Sequence, residues 1–223
     1  MATQKALTLL DTSVGKKAAL AVSGVILFGF VIGHMLGNLQ VLLGPEVYNA
    51  YGAGIKHNLP LLWGTRAVLL AALIVHTAIV LDLYGKSIAA RPVAYKVKKN
   101  IATSYAAVMM KYTGPILLAY IFFHLAHFTF PGVALGDYDH VPEDVYSNFV
   151  NAFRIPWVVA LYVFANLALS LHLYHGAFSM LQSVGFSHPR HDKKLKIAAR
   201  GLAFLVTAGN VFLPLTVCLG LVK

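Results

Sequence analysis

Cysteine and charge are both scarce in this chain. Of its 223 residues one is cysteine, Cys218, and only 12% are charged. A single thiol excludes an internal disulfide, a covalent CxxCH haem attachment and any iron–sulfur cluster held by this chain alone, because such clusters take several thiolates. No glycine-rich dinucleotide fingerprint follows a strand-like run, which argues against a flavin or nicotinamide domain. Carboxylates are few, with eight Asp and Glu against 18 Lys and Arg. The segment before the first apolar run, MATQKALTLLDTSVGKK, has no apolar core followed by a small-residue cleavage site. It is expected to be retained rather than removed as a signal peptide.

Apolar residues fill the chain instead. It is 58% hydrophobic, with a mean hydropathy of +0.70, whereas a soluble domain is about a quarter charged. Five apolar runs are long enough for a hydrocarbon core that takes about 20 helical residues. They cover residues 18–43, 59–84, 106–130, 155–184 and 197–221, and Gly44 and Pro45, Gly85, Pro131 and Gly132, and Gly185 supply the stops. The expected fold is an all-α integral membrane protein with five transmembrane helices in one bundle. Residues 1–223 then form a single membrane domain, with no internal repeat, low-complexity segment or second domain.

A net charge of +10 and a pI near 9.7 would suggest nucleic acid in a soluble protein, but the basic residues here sort by loop. Lys5, Lys16 and Lys17 precede the first span. Lys86, Arg91, Lys96, Lys98 and Lys99 join the second to the third, with Lys111 nearby. Arg190, Lys193, Lys194, Lys196 and Arg200 lie between the fourth and fifth. The first connection holds only Lys56 and Glu46, and the third is acidic, with Asp137, Asp139, Glu143 and Asp144. The positive-inside rule puts the N-terminus in the cytoplasm and the C-terminus outside. No nucleic-acid partner is expected, and the basic face offers a soluble partner a docking surface.

Histidine is the residue that does not belong in these runs. His34, His76, His124 with His127, and His172 with His175 lie inside four of the five spans. Ionisable groups in hydrocarbon are costly and mark functional sites. His34 stands 17 residues beyond Lys17, roughly 25 Å from the cytoplasmic end. His124 is seven residues before Pro131, about 10 Å from the outer end. His76 and His175 each lie ten residues before a cytoplasmic boundary, Lys86 and Gly185, about 15 Å in. The histidines therefore sort into an outer level, His34 with His124, and an inner level, His76 with His175. Two levels of two fit two bis-histidine haems stacked across the membrane, gripped by neutral imidazole nitrogen. A tetrahedral zinc site would need all its ligands in one small sphere, which two levels about 10 Å apart do not allow. A histidine-lined metal or proton transporter is the rival, although proton relays usually include membrane carboxylates and only Asp82 lies near a span. The alternative for each histidine is satisfaction by neighbouring backbone or hydroxyl groups. Gly24, Gly29, Gly33 and Gly37 line the first span, suiting either close helix approach or a planar guest.

The runs SGVILFGFVIGHMLGNLQVLLG (23–44), YTGPILLAYIFFHLAHF (112–128) and LHLYHGAFSMLQSVGFSHPR (171–190) resemble the cytochrome b membrane anchor of succinate dehydrogenase and fumarate reductase. The resemblance is closest to the single-chain, five-helix, two-haem cytochrome b558 type and covers nearly the whole chain. It implies ligands at His34 in the first span and His76 in the second. It implies His124 in the third, eleven residues after Thr113, and His175 in the fourth, before Gly176. His127 and His172 each lie three residues from these, on nearly the same helix face. Periodicity does not choose between the members of each pair; the resemblance does. It leaves His127 and His172 to porphyrin edges, propionates or quinone.

The resemblance further implies two haem b groups and a quinone, menaquinone or ubiquinone. It implies a flavoprotein subunit for the dicarboxylate chemistry, an iron–sulfur subunit that exchanges electrons with the anchor, and surrounding membrane lipid. The implied location is the inner (cytoplasmic) membrane of a prokaryote, with homo-oligomers of the complex in keeping with the commonness of closed symmetry. A quinone pocket is implied near the outer haem, where residues 46–58 meet the start of the second span. Glu46 and His57 are the candidate proton-exchanging groups there. Arg66 and Arg154 are candidate partners for haem propionates, because guanidinium matches carboxylate geometry. Some two-haem relatives carry a carboxylate two residues before the fourth-span ligand; Leu173 stands there, so no proton path through the bundle is implied. Another two-haem transmembrane reductase would keep the haems and change the partners.

Overall fold

The computed structural model describes residues 8–91, 93, 96–97, 99–101, 103–130 and 140–223. Lys5, Lys98, Pro131, Gly132, Asp137 and Asp139 lie outside the described residues. The described chain is helical and without strands. Seven α-helices follow in order: α1 (Ser13–Asn38), α2 (Pro45–His57), α3 (Leu59–Ala89), α4 (Tyr105–Phe128), α5 (Val145–Phe153), α6 (Pro156–Ser183) and α7 (Pro189–Cys218). Five of them, α1, α3, α4, α6 and α7, are long and apolar enough to cross a membrane.

Local chemistry sets the starts. The Thr12 hydroxyl accepts from Gly15 N–H at 3.0 Å, Asn58 Oδ1 from Leu61 N–H at 3.1 Å and Ser104 Oγ from Ala107 N–H at 3.2 Å. Each satisfies one of the orphan donors of a first turn. Proline occupies the opening positions of α2, α3, α6 and α7, where its missing N–H costs nothing. Gly44 and Gly185 end their segments at φ 98° and 87°, a region glycine enters without steric cost. Pro115 and Pro214 lie within α4 and α7 and remove one helical N–H each, which neighbouring helices tolerate in a membrane bundle.

The two connections expected as loops contain helices. Past Asn38 the first span tightens into a 3₁₀ turn, Leu39–Leu43, and Pro45 then starts α2 afresh. α5 forms where the sequence shows only nine residues of mixed polarity. Its Phe149, Val150, Ala152 and Phe153 are buried, so tertiary packing rather than hydropathy sustains it. α7 begins at Pro189 rather than near 197, because its basic first turns are polar and hydropathy registers only the apolar remainder.

α6 is the hub. It packs against α7, α4 and α1, while α3 lies against α1 at the edge and buries only Ala72. The start of α1 and the end of α3 meet at one end of the bundle, the basic end. There Lys16 and Lys86 both bind Asp82, at 2.7 and 3.1 Å. α2 and α5 close the other end over a core of Val41, Tyr48, Phe149, Phe153, Val158 and Leu213. Asn49 ties the two caps together: its amide donates to Asp144 Oδ1 at 3.0 Å and its carbonyl accepts from Tyr146 N–H at 2.9 Å. The Lys56 ammonium adds a bond to the Pro142 carbonyl.

Candidate functional site

Two pairs of imidazole rings from different spans meet at two depths. Toward the capped end, His34 of α1 faces His124 of α4, with ring centres 5.7 Å apart and planes at 80°. Toward the basic end, His76 of α3 faces His172 of α6, with ring centres 6.3 Å apart. Separations of this size are those of side chains in ring-to-ring contact, so each level brings together two imidazoles from different spans. Among the described residues, no group of three or more His, Cys, Asp and Glu converges on one point, so the arrangement is one of pairs.

A haem ligand needs a lone pair at Nε2, and the hydrogen bonds on each ring decide whether it has one. The Ser23 hydroxyl donates to the Leu20 carbonyl at 3.0 Å, and Ser23 Oγ also lies 3.3 Å from His76 Nδ1. Its proton being spent, the hydroxyl accepts from His76 Nδ1–H, which leaves the lone pair on Nε2. The Tyr48 hydroxyl donates to Asn38 Oδ1 at 2.9 Å, which turns the amide nitrogen toward His34 Nε2, 3.3 Å away. That nitrogen therefore accepts, and His34 too carries its lone pair on Nε2; a metal taking it would displace the amide donor. In the opposing rings it is also Nδ1 that meets a hydroxyl. His172 Nδ1 lies 3.3 Å from Thr113 Oγ1, and His124 Nδ1 lies 3.1 Å from Tyr162 Oη. His76 and His34 thus carry the lone pair that ligation needs, and a hydroxyl stands beside Nδ1 of His76, His172 and His124.

Chain topology explains the pairing. Phe30 lies one turn before His34 and stacks on it, ring centres 5.3 Å apart at 13°. Tyr120 and Phe128 flank His124 from the turns on either side. Gly24 leaves room beside His76, where an added Cβ would stand 3.8 Å from its Cε1. Gly29 and Gly33 face open space, and Gly37 lies against Tyr51.

No family model, curated protein or solved structure matches this chain.

The other candidates are dispersed. His175 lies one turn along α6 from His172. His127 is buried and shares the Tyr162 hydroxyl with His124, at 3.0 Å. Arg66 is exposed, its guanidinium over the Trp63 ring at 5.0 Å. Arg154 ends α5 and reaches Asn151 Oδ1 at 3.4 Å. Glu46 and His57 sit at opposite ends of α2, both exposed. An open apolar cleft of ≈ 420 Å³ between α1 and α3 is lined by Ile26, Phe30, Leu61, Thr65 and Val68, and so reaches the ring that stacks on His34. Sequence reasoning missed the orienting groups Ser23, Asn38, Tyr48 and Tyr162. Asn38, a polar residue four positions after His34 in an apolar run, carried a local signal; Tyr162, separated from its partners by two connections, carried none.

Proposed function

We propose that this chain is a membrane cytochrome b, the anchor subunit of a succinate:quinone oxidoreductase or quinol:fumarate reductase. It would relay electrons between a soluble iron–sulfur subunit and membrane quinone. The observation that carries this reading is the meeting of imidazoles from four spans in two ring-to-ring pairs at separate depths. The resemblance of the three histidine-bearing runs names the family. When bound, haem would supply a one-electron carrier at each level, tuned by the histidines that hold it, its burial and the hydrogen bonds around it.

The chain's own residues then have definite work. His34 and His124 would hold a haem nearer the capped end, and His76 would hold one nearer the basic end. For the fourth ligand the resemblance names His175 and the ring contact favours His172. Replacing the true ligand removes one haem, whereas replacing its neighbour only shifts the spectrum. Ser23, Thr113 and Tyr162, each beside the Nδ1 of one imidazole, would orient His76, His172 and His124, as groups bonded to the second ring nitrogen of a ligating histidine do. The basic end faces the cytoplasm of a prokaryote, following the loop charges, and Lys193, Lys194 and Lys196 offer the soluble subunits a cationic surface. The cleft beside Phe30 suits an apolar quinone, with Glu46 and His57 at the capped end available for proton exchange with water.

The test is direct. Full-length protein made with ample haem should bind two haem b groups per chain, with a Soret band and a reduced α-band. His34→Ala and His76→Ala should each remove one haem, and a flavoprotein and an iron–sulfur protein should co-purify with the native complex. A folded, haem-supplied preparation with no Soret band ends the proposal.

A further inference from the structure

Two cations of α7 rest on aromatic rings of α6, at the edge of the apolar bundle. The Lys196 ammonium lies 5.0 Å from the Phe178 ring centre, and one turn deeper the Arg200 guanidinium carbon lies 5.1 Å from that of Tyr174. The attraction of a cation for a ring face holds both side chains against α6. Arg200 also marks where the hydrocarbon begins, since the next charged residue along the chain is Lys223. Both cations are exposed, and among the described residues neither forms an ion pair. The described ion pairs, from Lys16 and Lys86, both end on Asp82. Asp192, one turn before Lys196, spends Oδ1 on the Ser187 hydroxyl and the His188 N–H, each at 2.9 Å. Two positive charges at a membrane boundary are thus left without a protein anion.

Apolar surface continues from them into the bundle's depth. Phe204 follows Arg200 by one turn on the same face of α7 and is 69% exposed, and Leu167, two turns beyond Tyr174 on α6, is 55% exposed. The two cation–ring contacts run in antiparallel register, so both exposed side chains lie on the apolar side of Arg200. We propose that this seam between α6 and α7 binds an anionic phospholipid, with its phosphodiester between Arg200 and Lys196 and its acyl chains along Leu167 and Phe204. A guanidinium fork matches two phosphate oxygens and an ammonium adds a point charge. Basic pockets between spans take anionic headgroups in this way. A free phosphate would meet the charges and leave the apolar stripe unused; a lipid of this class uses both. Lys193 and Lys194, nearer the helix start, are left to the soluble subunits.

Full-length protein in a neutral detergent is titrated with phosphatidylglycerol, phosphatidylcholine or inorganic phosphate. Bound lipid is counted by native mass spectrometry, and the thermal unfolding midpoint is followed in parallel. The expected result is phosphatidylglycerol retained under activation that strips phosphatidylcholine, with a rise in the midpoint that inorganic phosphate does not reproduce. This comparison needs no variant. Lys196→Gln with Arg200→Gln should weaken phosphatidylglycerol binding about fivefold per charge removed. Lys17→Gln with Lys194→Gln removes the same charge from α1 and from a different face of α7, and should leave the binding unchanged. Arg200→Lys keeps the charge without the fork and should fall between. Equal retention of the two lipids, stabilisation by inorganic phosphate alone, or an equal loss in both double variants overturns the proposal. So does a Lys196→Gln, Arg200→Gln chain that loses a co-purifying acidic protein while keeping its phosphatidylglycerol. None of these readouts involves the histidine pairs, so the outcome is independent of the haem proposal.

Discussion

Gly29, Gly33 and Gly37 recur at four-residue intervals along α1, and the structure separates their roles sharply enough to measure. An alanine Cβ at Gly37 would collide with Tyr51 Oη and lie 2.7 Å from its Cζ, whereas at Gly29 and Gly33 it would meet nothing within 4 Å. Carbon contacts are comfortable only near 3.5–4.0 Å, so the Tyr51 ring would have to retreat by about 1 Å. Tyr51 is poorly placed to do so. It stacks on Tyr48 with ring centres 6.5 Å apart, Tyr48 is bonded to Asn38, and Asn49 bolts the same helix to Asp144 and Tyr146. Overpacking of this kind costs about 1–3 kcal/mol, and alanine's helix preference over glycine returns up to about 1 kcal/mol. Gly37→Ala should therefore destabilise the chain by about 1–2 kcal/mol, while Gly29→Ala and Gly33→Ala should be neutral or stabilising by up to about 1 kcal/mol. Equilibrium unfolding of purified protein in mixed micelles, followed by intrinsic fluorescence, reads all three. Tyr51→Phe removes the Oη contact but leaves Cζ, so it should relieve only part of the cost, and Tyr51→Ala should relieve it all. A Gly37→Ala variant as stable as Gly33→Ala, or a cost that persists in the Tyr51→Ala background, would refute the reasoning, because contacting residues should couple and these would be additive.

The capping connection should be acid-sensitive. Hydrogen bonds from Ser147, first through its hydroxyl and then its backbone N–H, hold the Asp144 carboxyl below the usual carboxylate range. A depressed native pKa stabilises the fold above the unfolded value of about 3.9 and is lost as pH falls through the lower native value. The thermal stability gap between the unsubstituted chain and Asp144→Asn should be present at neutral pH and close under acid; a gap independent of pH would exclude this role. At the basic end, Asp82→Asn should leave Lys16 and Lys86 facing each other without their shared carboxylate. Because that cluster is solvent-exposed, the resulting drop in melting temperature should be small and should shrink as added salt screens the lysines. A drop of equal size in high salt would show that burial, not charge, governs the site.

By itself the sequence determined how many helices are long and apolar enough to cross a membrane. A run of twenty apolar residues has no soluble alternative in which to hide, and the turn-forming stops and alternating loop charge follow residue by residue. It also marked the histidines, since an imidazole in an apolar run stands out without any knowledge of its neighbours. It did not reveal α5, whose nine residues become helical because Phe149 and Phe153 are buried against other helices. Nor did it tell His124 from His127, or His172 from His175: three residues along a helix is a rotation of only about 60° from one face, so either member of each pair points into the bundle. Only the tertiary structure set His34 against His124 and His76 against His172, and only it brought Tyr162 between two histidines of another helix. A lone pair's position depends on which proton donor stands beside each ring, and that neighbour arrives from a distant stretch of chain, where no local pattern foretells it.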